Sequence, residues 1–202
     1  LTICPTIYWR DSPEFVNTAF SFGIAHPAGF PVYSTISKIF TFIPLSNLAM
    51  RVNYTSLFFG VFTGWLIFFI IIRLINICFS PISNSHAYFS ATLGVLLLGG
   101  ASSFWWMSVV TEVYTMNCFF LSVFFLSMLK WYGSKEPRFL FLSSFAFGFA
   151  IAVYGANLLF IPLVTAFYIF VDDKKSLRQF LIICGLFLLG YSIHIYLPIR
   201  SI

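Results

Sequence analysis

Charged residues are scarce in this chain, and their scarcity excludes most classes of soluble protein. Only 8% of the 202 residues are Asp, Glu, Lys or Arg, whereas 60% are hydrophobic. A soluble domain carries about 25% charged residues, so a water-soluble fold of this length could not hide so much apolar surface. The composition therefore predicts an integral membrane protein, with membrane lipids as its first partners.

Several signatures of soluble enzymes and binding proteins are also missing. The four cysteines are scattered without CxxC or Cys/His spacing, which supports neither a zinc site nor a disulfide framework. No P-loop, GxGxxG, HExxH or GxSxG pattern occurs, so nothing predicts nucleotide binding. The net charge of +5 comes from basic residues in short loops. We therefore expect it to reflect membrane topology, with no nucleic-acid partner.

Apolar runs long enough to cross a bilayer, about 20 residues each, dominate the chain. The run 138–170 is too long for one span and is broken near Tyr154, so we interpret it as two. The expected spans lie at about 57–77, 87–106, 113–131, 138–153, 156–171 and 180–198. With the opening residues as the end of an earlier span, this predicts an all-α polytopic transmembrane helical bundle of about six to seven spans. Residues 1–202 would form a single transmembrane domain, and the start inside an apolar run predicts a fragment of a longer protein.

The basic residues divide unequally between the two sides of these predicted spans. Seven lie in the short loops of one side: Arg73, Lys130, Lys135, Arg138, Lys174, Lys175 and Arg178. The opposite side has four: Arg10, Lys38, Arg51 and Arg200. The positive-inside rule places the first side in the cytoplasm. Segment 9–54, too polar and too rich in proline to span, is then predicted to be a long first non-cytoplasmic loop bearing interfacial amphipathic helices.

The stretch YWRDSPEFVNTAF, residues 8–20, places two carboxylates, Asp11 and Glu14, three residues apart. Ser12 and Pro13 suit a helix start, so one interpretation is a capping motif at the membrane surface. The other is functional, because Asp-x-x-Glu at a helix start puts both carboxylates on one face. There they could provide a general base or bind a cation beside a water-filled cavity, and acids next to membrane spans are usually functional.

Other polar residues are predicted at the same, non-cytoplasmic ends of the spans. Glu112, with no Lys or Arg near it in sequence, is either an exposed loop acid or faces the same cavity as Asp11, and Tyr114 could add a hydroxyl there. His26, in the turn HPAGFP, is either structural or available for acid–base chemistry or phosphate contact. Arg200 is either a snorkelling interfacial arginine or a bidentate phosphate ligand.

Four blocks of the sequence resemble, in order, a membrane family long labelled as a domain of unknown function (DUF2723). They are the opening stretch with DSPEF and GIAHPAGFP, then SFWWMSVVTEVYTMN, GFAIAVYGANLLFIP and YLPIRS. The resemblance covers nearly the whole chain. The family is grouped with glycosyltransferases of the GT-C type and includes an animal protein O-mannosyltransferase of the endoplasmic reticulum.

The resemblance implies a GT-C type bundle with its active site on the non-cytoplasmic face. It implies an inverting glycosyltransferase that moves a sugar from a polyprenyl- or dolichyl-phosphate-linked donor to a hydroxyl of a protein or glycan, with protein O-mannosylation as one form. Asp11 matches the acid expected to act as catalytic base, and Glu14 the second acid. Arg200, with His26, would offset the charge that develops on the leaving lipid phosphate.

The remaining blocks add residues for binding the donor or the acceptor. Glu112 and Tyr114 match the E-V-Y block, Asn157 the N-L-L block and Arg200 the Y-L-P-I-R block. Tyr154 stands where many relatives carry His, so a role of that His in contacting phosphate or acceptor is altered or moved here. Tyrosine can still donate a hydrogen bond.

The residues alone also allow a different class of function, a transporter or flippase for a lipid-linked or small polar substrate. Against it, the acids gather at one face and no internal repeat is evident. No cofactor is predicted with certainty; the lipid-phosphate-linked sugar would be the donor substrate, and two acids are compatible with a divalent metal without defining its site. We expect a bacterial inner membrane first and the endoplasmic reticulum membrane as the alternative.

Overall fold

The computed structural model describes residues 3–27, 29–79, 83–171 and 176–201, and in these ranges the chain is helical without strands. The α-helices run in the following order: α1 (Ser12–Ser21), α2 (Pro31–Thr41), α3 (Leu48–Cys78), α4 (Asn84–Gly100), α5 (Ser102–Val109), α6 (Tyr114–Ser134), α7 (Pro137–Val153), α8 (Ile161–Val171), α9 (Leu177–Tyr191) and α10 (Tyr196–Arg200). Two 3-10 segments, Gly155–Phe160 and Ser192–Ile195, lead into α8 and α10. The predicted fold class, an all-α membrane bundle, is confirmed.

Helix α3 is the longest, with 31 residues, and it begins earlier than the predicted span 57–77. Asn47 sets this start, because its side chain accepts a hydrogen bond from the backbone N–H of Met50 and so caps the first turn. The additional turns carry Asn53 and Ser56, both buried. A sequence window chosen for hydropathy misses these polar turns, although they belong to the same helix.

Two helical segments among the described residues are long and apolar enough to cross a membrane: α3 and the continuous run Leu177–Arg200. A third candidate is the pair α4 and α5, which bend by 67° at Ala101. The predicted single span 87–106 is therefore a bent pair of helices, a broken span or a re-entrant loop. The further spans of the sequence-based count stay predictions.

The chain breaks at Tyr154, as the excessive length of the run 138–170 predicted. Tyr154 has an extended backbone (φ −147°, ψ 107°) between α7 and the 3-10 segment Gly155–Phe160. Two short apolar helical segments, Pro137–Val153 and Gly155–Val171, thus replace one long helix.

The predicted first loop is itself folded, and it joins the bundle through a buried apolar cluster. Its helices α1 and α2 contribute Phe15 and Tyr33, whose ring centroids lie 5.0 Å apart. The bundle contributes Phe59 of α3, Met116 of α6 and Val153 of α7 to the same cluster. This cluster fixes the polar ends of α1, α6 and α7 relative to one another.

Glycines permit close approach between α7 and α9. A β-carbon on Gly148 would overlap the carbonyl oxygen of Phe187 on α9, and one on Gly190 would overlap the carbonyl oxygen of Phe145 on α7. Small residues let membrane helices pack backbone to backbone, where dispersion contacts and lipid release favour association.

We expect Gly148→Leu to separate α7 from α9 and to lower stability by about 1–3 kcal/mol, the usual cost of overpacking. Gly185→Leu, on α9, is the matched control, because a β-carbon there meets no atom within 4 Å. Thermal unfolding of both variants in the same detergent measures the difference. Equal melting temperatures would contradict the close contact.

Candidate functional site

Asp11 lies at the start of α1, but its carboxylate does not cap the helix. Asp11 occupies the N-cap position, yet its side chain makes no capping hydrogen bond, and the residue is exposed. Pro13 stands in the first turn, as predicted, and the buried hydroxyl oxygen of neighbouring Ser12 accepts a hydrogen bond from the backbone N–H of Tyr8 at 3.3 Å. The capping interpretation therefore does not account for the Asp11 carboxylate.

Glu14, by contrast, is committed to His26. One carboxylate oxygen accepts the backbone N–H of His26 at 2.5 Å, and the other lies 2.7 Å from ring Nδ1. Such charge-assisted bonds to two parts of one residue fix the HPAGFP turn against α1. The second acid of the motif thus orients a histidine, whose other ring nitrogen, Nε2, remains for chemistry. The ring of Phe15 packs against the His26 imidazole, with the two ring centroids 5.8 Å apart.

Glu112 is not an exposed loop acid, because only 4% of its surface is accessible. It lies between α5 and α6, and Ser56 of α3 holds its backbone on both sides. The Ser56 hydroxyl donates to the Glu112 carbonyl and accepts from the Glu112 N–H, each at 3.1 Å. These two hydrogen bonds to one hydroxyl fix the position of the Glu112 backbone, from which the side chain extends.

The pKa of Glu112 is raised to about 7, first by burial and then by the negative charge of Asp11. The positive charge of Arg10 and the ring of His26 act in the opposite direction. Residues from the first segment and from the α5–α6 connection, about a hundred positions apart in sequence, therefore share one electrostatic environment. A carboxyl with a pKa near neutrality is suited to proton transfer.

Tyr114 and Tyr154 extend this cluster. Tyr114 begins α6 next to Glu112, and its ring lies edge-on to that of Tyr154, with centroids 5.9 Å apart. Tyr154 occupies the break after α7, so both phenols are at helix ends rather than inside spans. Asp11 lies within electrostatic range of Tyr114 as well. Six of the eight predicted site residues thus belong to one cluster: Asp11, Glu14, His26, Glu112, Tyr114 and Tyr154.

The other two predicted residues are occupied elsewhere in the described structure. Asn157, buried, donates both amide hydrogens, to Oδ1 of Asn117 at 2.6 Å and to the carbonyl of Ala150 at 2.7 Å. Arg200 donates from Nε to the carbonyl oxygen of Phe22 at 2.9 Å. Asn157 therefore holds the α7 break onto α6, and Arg200 closes the C-terminal end of α1. Their predicted contacts with substrate stay predictions.

Asn53 is a residue that the sequence reading missed as part of the site. Its side chain is completely buried in α3. Its amide donates to the carbonyl of Cys4 at 2.8 Å, and its oxygen accepts the hydroxyl of Thr111. Asn53 thus ties the segment before Asp11 to the segment that carries Glu112.

Arg10 and Trp106 were also missed. Arg10 has a positive φ of 67° immediately before Asp11, a backbone conformation that costs a non-glycine residue about 1–2 kcal/mol. Its guanidinium lies over the rings of Trp9 and Trp106. The adjacency of Trp9 and Arg10 to Asp11 was the available signal, but the partner ring comes from α5, about a hundred residues later.

Among the residues the structure describes, no group of three or more His, Cys, Asp or Glu could hold a metal. The acids Asp11 and Glu112 are close enough to interact electrostatically, and His26 is engaged by Glu14.

Comparisons with known proteins point to one family. Residues 11–177 match the family model described as the protein O-mannosyl-transferase TMEM260 N-terminal domain. The mouse protein O-mannosyl-transferase TMEM260 is 24% identical over 213 residues, which cover 100% of this chain and 28% of the mouse protein. The Dictyostelium discoideum protein O-mannosyl-transferase tmem260 is 24% identical over 126 residues, covering 61% of this chain and 14% of that protein. The chain spans less than a third of either relative, and no solved structure matches it significantly.

We expect Glu112→Gln to remove a pH dependence of folding stability. The folded protein raises the pKa of this carboxyl from 4.5 to about 7, so it binds more protons than the unfolded chain between these values. This contribution is present below pH 4.5 and is lost as the pH rises through 7. From pH 5 to pH 8 the wild type should lose on the order of 2 kcal/mol relative to the variant.

Melting temperatures of both proteins, measured in one detergent at pH 5, 6.5 and 8, test this. The melting temperature of the wild type should fall relative to that of Glu112→Gln as the pH rises. Parallel curves would contradict a buried, proton-binding Glu112.

Proposed function

Since the chain belongs to the family of protein O-mannosyl-transferase TMEM260 N-terminal domains, we propose that it is the membrane-embedded catalytic part of a glycosyltransferase for protein O-mannosylation. The donor would be mannose linked to a polyprenyl or dolichyl phosphate, and the acceptor a Ser or Thr hydroxyl. The observation that carries this proposal is the meeting of Asp11 with Glu112 at one end of the helical bundle.

The proposed reaction is a displacement with inversion at the anomeric carbon. The acceptor oxygen forms a bond to that carbon, the bond from carbon to the phosphate oxygen breaks, and the lipid phosphate leaves with the electron pair. A base must take the hydroxyl proton as the new bond forms. Asp11 is proposed for this step, because its carboxylate is exposed at the cluster and is not used to cap α1.

Glu112 would serve the same site in a different way. With a pKa of about 7 it is partly protonated at neutral pH, so it can hydrogen-bond to acceptor or sugar hydroxyls without adding a full negative charge beside Asp11. Two neighbouring carboxyl groups in different environments, one exposed and one buried, are suited to separate roles. The rings of Tyr114 and Tyr154 offer two further hydroxyls for positioning a sugar.

His26 would act through its free ring nitrogen. Since Glu14 engages Nδ1, a proton on that atom is stabilised and Nε2 is left to face substrate. Glu14 then acts as a positioning residue for His26.

We expect Asp11→Asn to reduce transfer by roughly 10²- to 10⁴-fold, the usual contribution of a positioned base. The assay uses the full-length protein in nanodiscs with dolichyl-phosphate mannose and an acceptor peptide, and follows release of dolichyl phosphate. Glu136→Gln is the matched control, because Glu136 is an acid ion-paired with Arg138 at the start of α7.

Unchanged transfer by a folded Asp11→Asn variant would remove Asp11 from the role of base. Movement of the lipid-linked sugar across the bilayer by the wild type, without release of lipid phosphate, would favour a flippase over a transferase.

A further inference from the structure

Four basic residues were predicted on the non-cytoplasmic side, and the structure holds three of them in a common way. Lys38, Arg51 and Arg200 each donate hydrogen bonds to backbone carbonyl oxygens, at 2.5 to 2.9 Å for their shortest contacts. Arg10 differs from these three. Within the described residues, no hydrogen bond or ion pair from another residue engages its guanidinium, so its donors remain available for a ligand.

Aromatic rings place the Arg10 guanidinium instead. Its Cζ lies 4.7 Å from the ring centroid of Trp9 and 5.6 Å from that of Trp106. Tyr8 packs edge-on against Trp106, with centroids 5.7 Å apart, and so steadies the second ring. A planar guanidinium that lies against ring faces keeps its N–H edges in position for a planar or tetrahedral oxyanion. We call Arg10, Trp9 and Trp106 the arginine box.

The arginine box adjoins the acidic cluster. The positive charge of Arg10 acts on both Glu112 and Tyr114. An anion bound by Arg10 would therefore lie next to the proposed site of transfer. Without such a cation, Asp11 and Glu112 would repel any phosphate that approached them.

Helix α5, which carries Trp106 of the arginine box, also lines an apolar cavity. Helix α5 presents Trp106 to Arg10, while its neighbour Trp105 lines a cavity of about 420 Å³ between α3, α4 and α5. Ile3 forms part of the wall, next to Cys4, whose backbone N–H donates to the Val109 carbonyl at 2.9 Å. Helix α5 thus contributes neighbouring residues, Trp106 and Trp105, to the cationic site and to the wall of the apolar cavity.

We propose that the arginine box binds the phosphate of an isoprenoid lipid phosphate whose hydrocarbon chain enters this cavity. The inference rests on the proposed function, in which this phosphate links the sugar to its carrier. Arginine binds phosphate oxygens bidentately through its planar guanidinium. We assign the phosphate to Arg10 and not to Arg200, because the Nε of Arg200 donates to the Phe22 carbonyl oxygen.

The first test measures binding, so that it does not depend on turnover. The full-length protein is placed in phosphatidylcholine nanodiscs, and radiolabelled dolichyl phosphate is titrated against the wild type, Arg10→Gln and Arg10→Lys. We expect Arg10→Gln to raise Kd at least tenfold and Arg10→Lys to raise it less, because lysine keeps the charge but loses the planar fork.

Arg138→Gln is the matched control for Arg10→Gln. Arg138 also lies over an aromatic ring, 4.9 Å from the centroid of Phe139, but at the start of α7 and ion-paired with Glu136. The two variants change the net charge equally. Equal Kd values for wild type and folded Arg10→Gln, or equal losses in Arg10→Gln and Arg138→Gln, would overturn the proposal.

A second pair of variants tests the cavity. Gly99 lines it, and a β-carbon on Gly99 meets no atom within 4 Å, so Gly99→Leu should fill the space without a clash. Gly100, the next residue, has equally open surroundings but is not part of the lining. We expect Gly99→Leu, and not Gly100→Leu, to raise Kd for dolichyl phosphate about tenfold; equal affinities would overturn the placement of the chain.

Competition separates the sources of the phosphate. Phosphatidic acid at the same mole fraction should displace little probe; equal competition would assign the arginine box to a membrane headgroup and overturn the isoprenoid assignment. Arg10-dependent binding without any mannose transfer by the wild type would support this inference while the proposed function failed. Mannose transfer that persists in Arg10→Gln with an unchanged Kd would support the proposed function and overturn this inference.

Discussion

Two polar side chains on one helix, Asn53 and Ser56 of α3, determine whether the acidic cluster exists. Asn53 joins the segment before α1 to Thr111, and Ser56 holds the backbone of Glu112. Each hydrogen bond contributes about 1 kcal/mol net, but a buried partner left unpaired costs about 1–3 kcal/mol. Loss of either side chain would therefore leave several unpaired buried groups and release the segment that carries one of the two acids.

The hydrogen bonds of Asn53 and Ser56 adjoin a buried apolar cluster to which several helices of the bundle contribute. Phe15 and Tyr33 from the first segment meet Phe59, Met116 and Val153 from three longer helices in one buried cluster. Lipid-facing helices gain little from hydrophobic burial against one another, so tight packing and hydrogen bonds decide their arrangement. The end of the bundle has both, and α7 and α9 combine their glycine contacts with a hydrogen bond from the Ser144 hydroxyl to the Ile183 carbonyl.

The same packing gives the three carboxyl groups different environments. Asp11 remains exposed, Glu14 is paired with His26, and Glu112 is buried with its pKa raised to about 7. Three acids close together would repel one another if all were ionised and unpaired. Different environments remove that conflict, and they leave one free carboxylate, one oriented imidazole and one carboxyl that titrates near neutrality, as acid–base chemistry at a single site requires.

The sequence by itself determined the membrane class, the helical fold and the break at Tyr154, and it predicts that Asp11, His26 and Glu112 lie on the non-cytoplasmic side. Composition, apolar run length and loop charge carry this information, because each depends on neighbours along the chain. Only the tertiary structure decided which polar groups pair. Glu14 takes His26 from twelve residues away, Thr111 bonds Asn53 across 58 positions, and Arg200 reaches Phe22 across 178. Helix packing selects such partners, and no local pattern encodes it. For that reason Arg200 donates its Nε to Phe22, whereas no hydrogen bond from another described residue engages the Arg10 guanidinium.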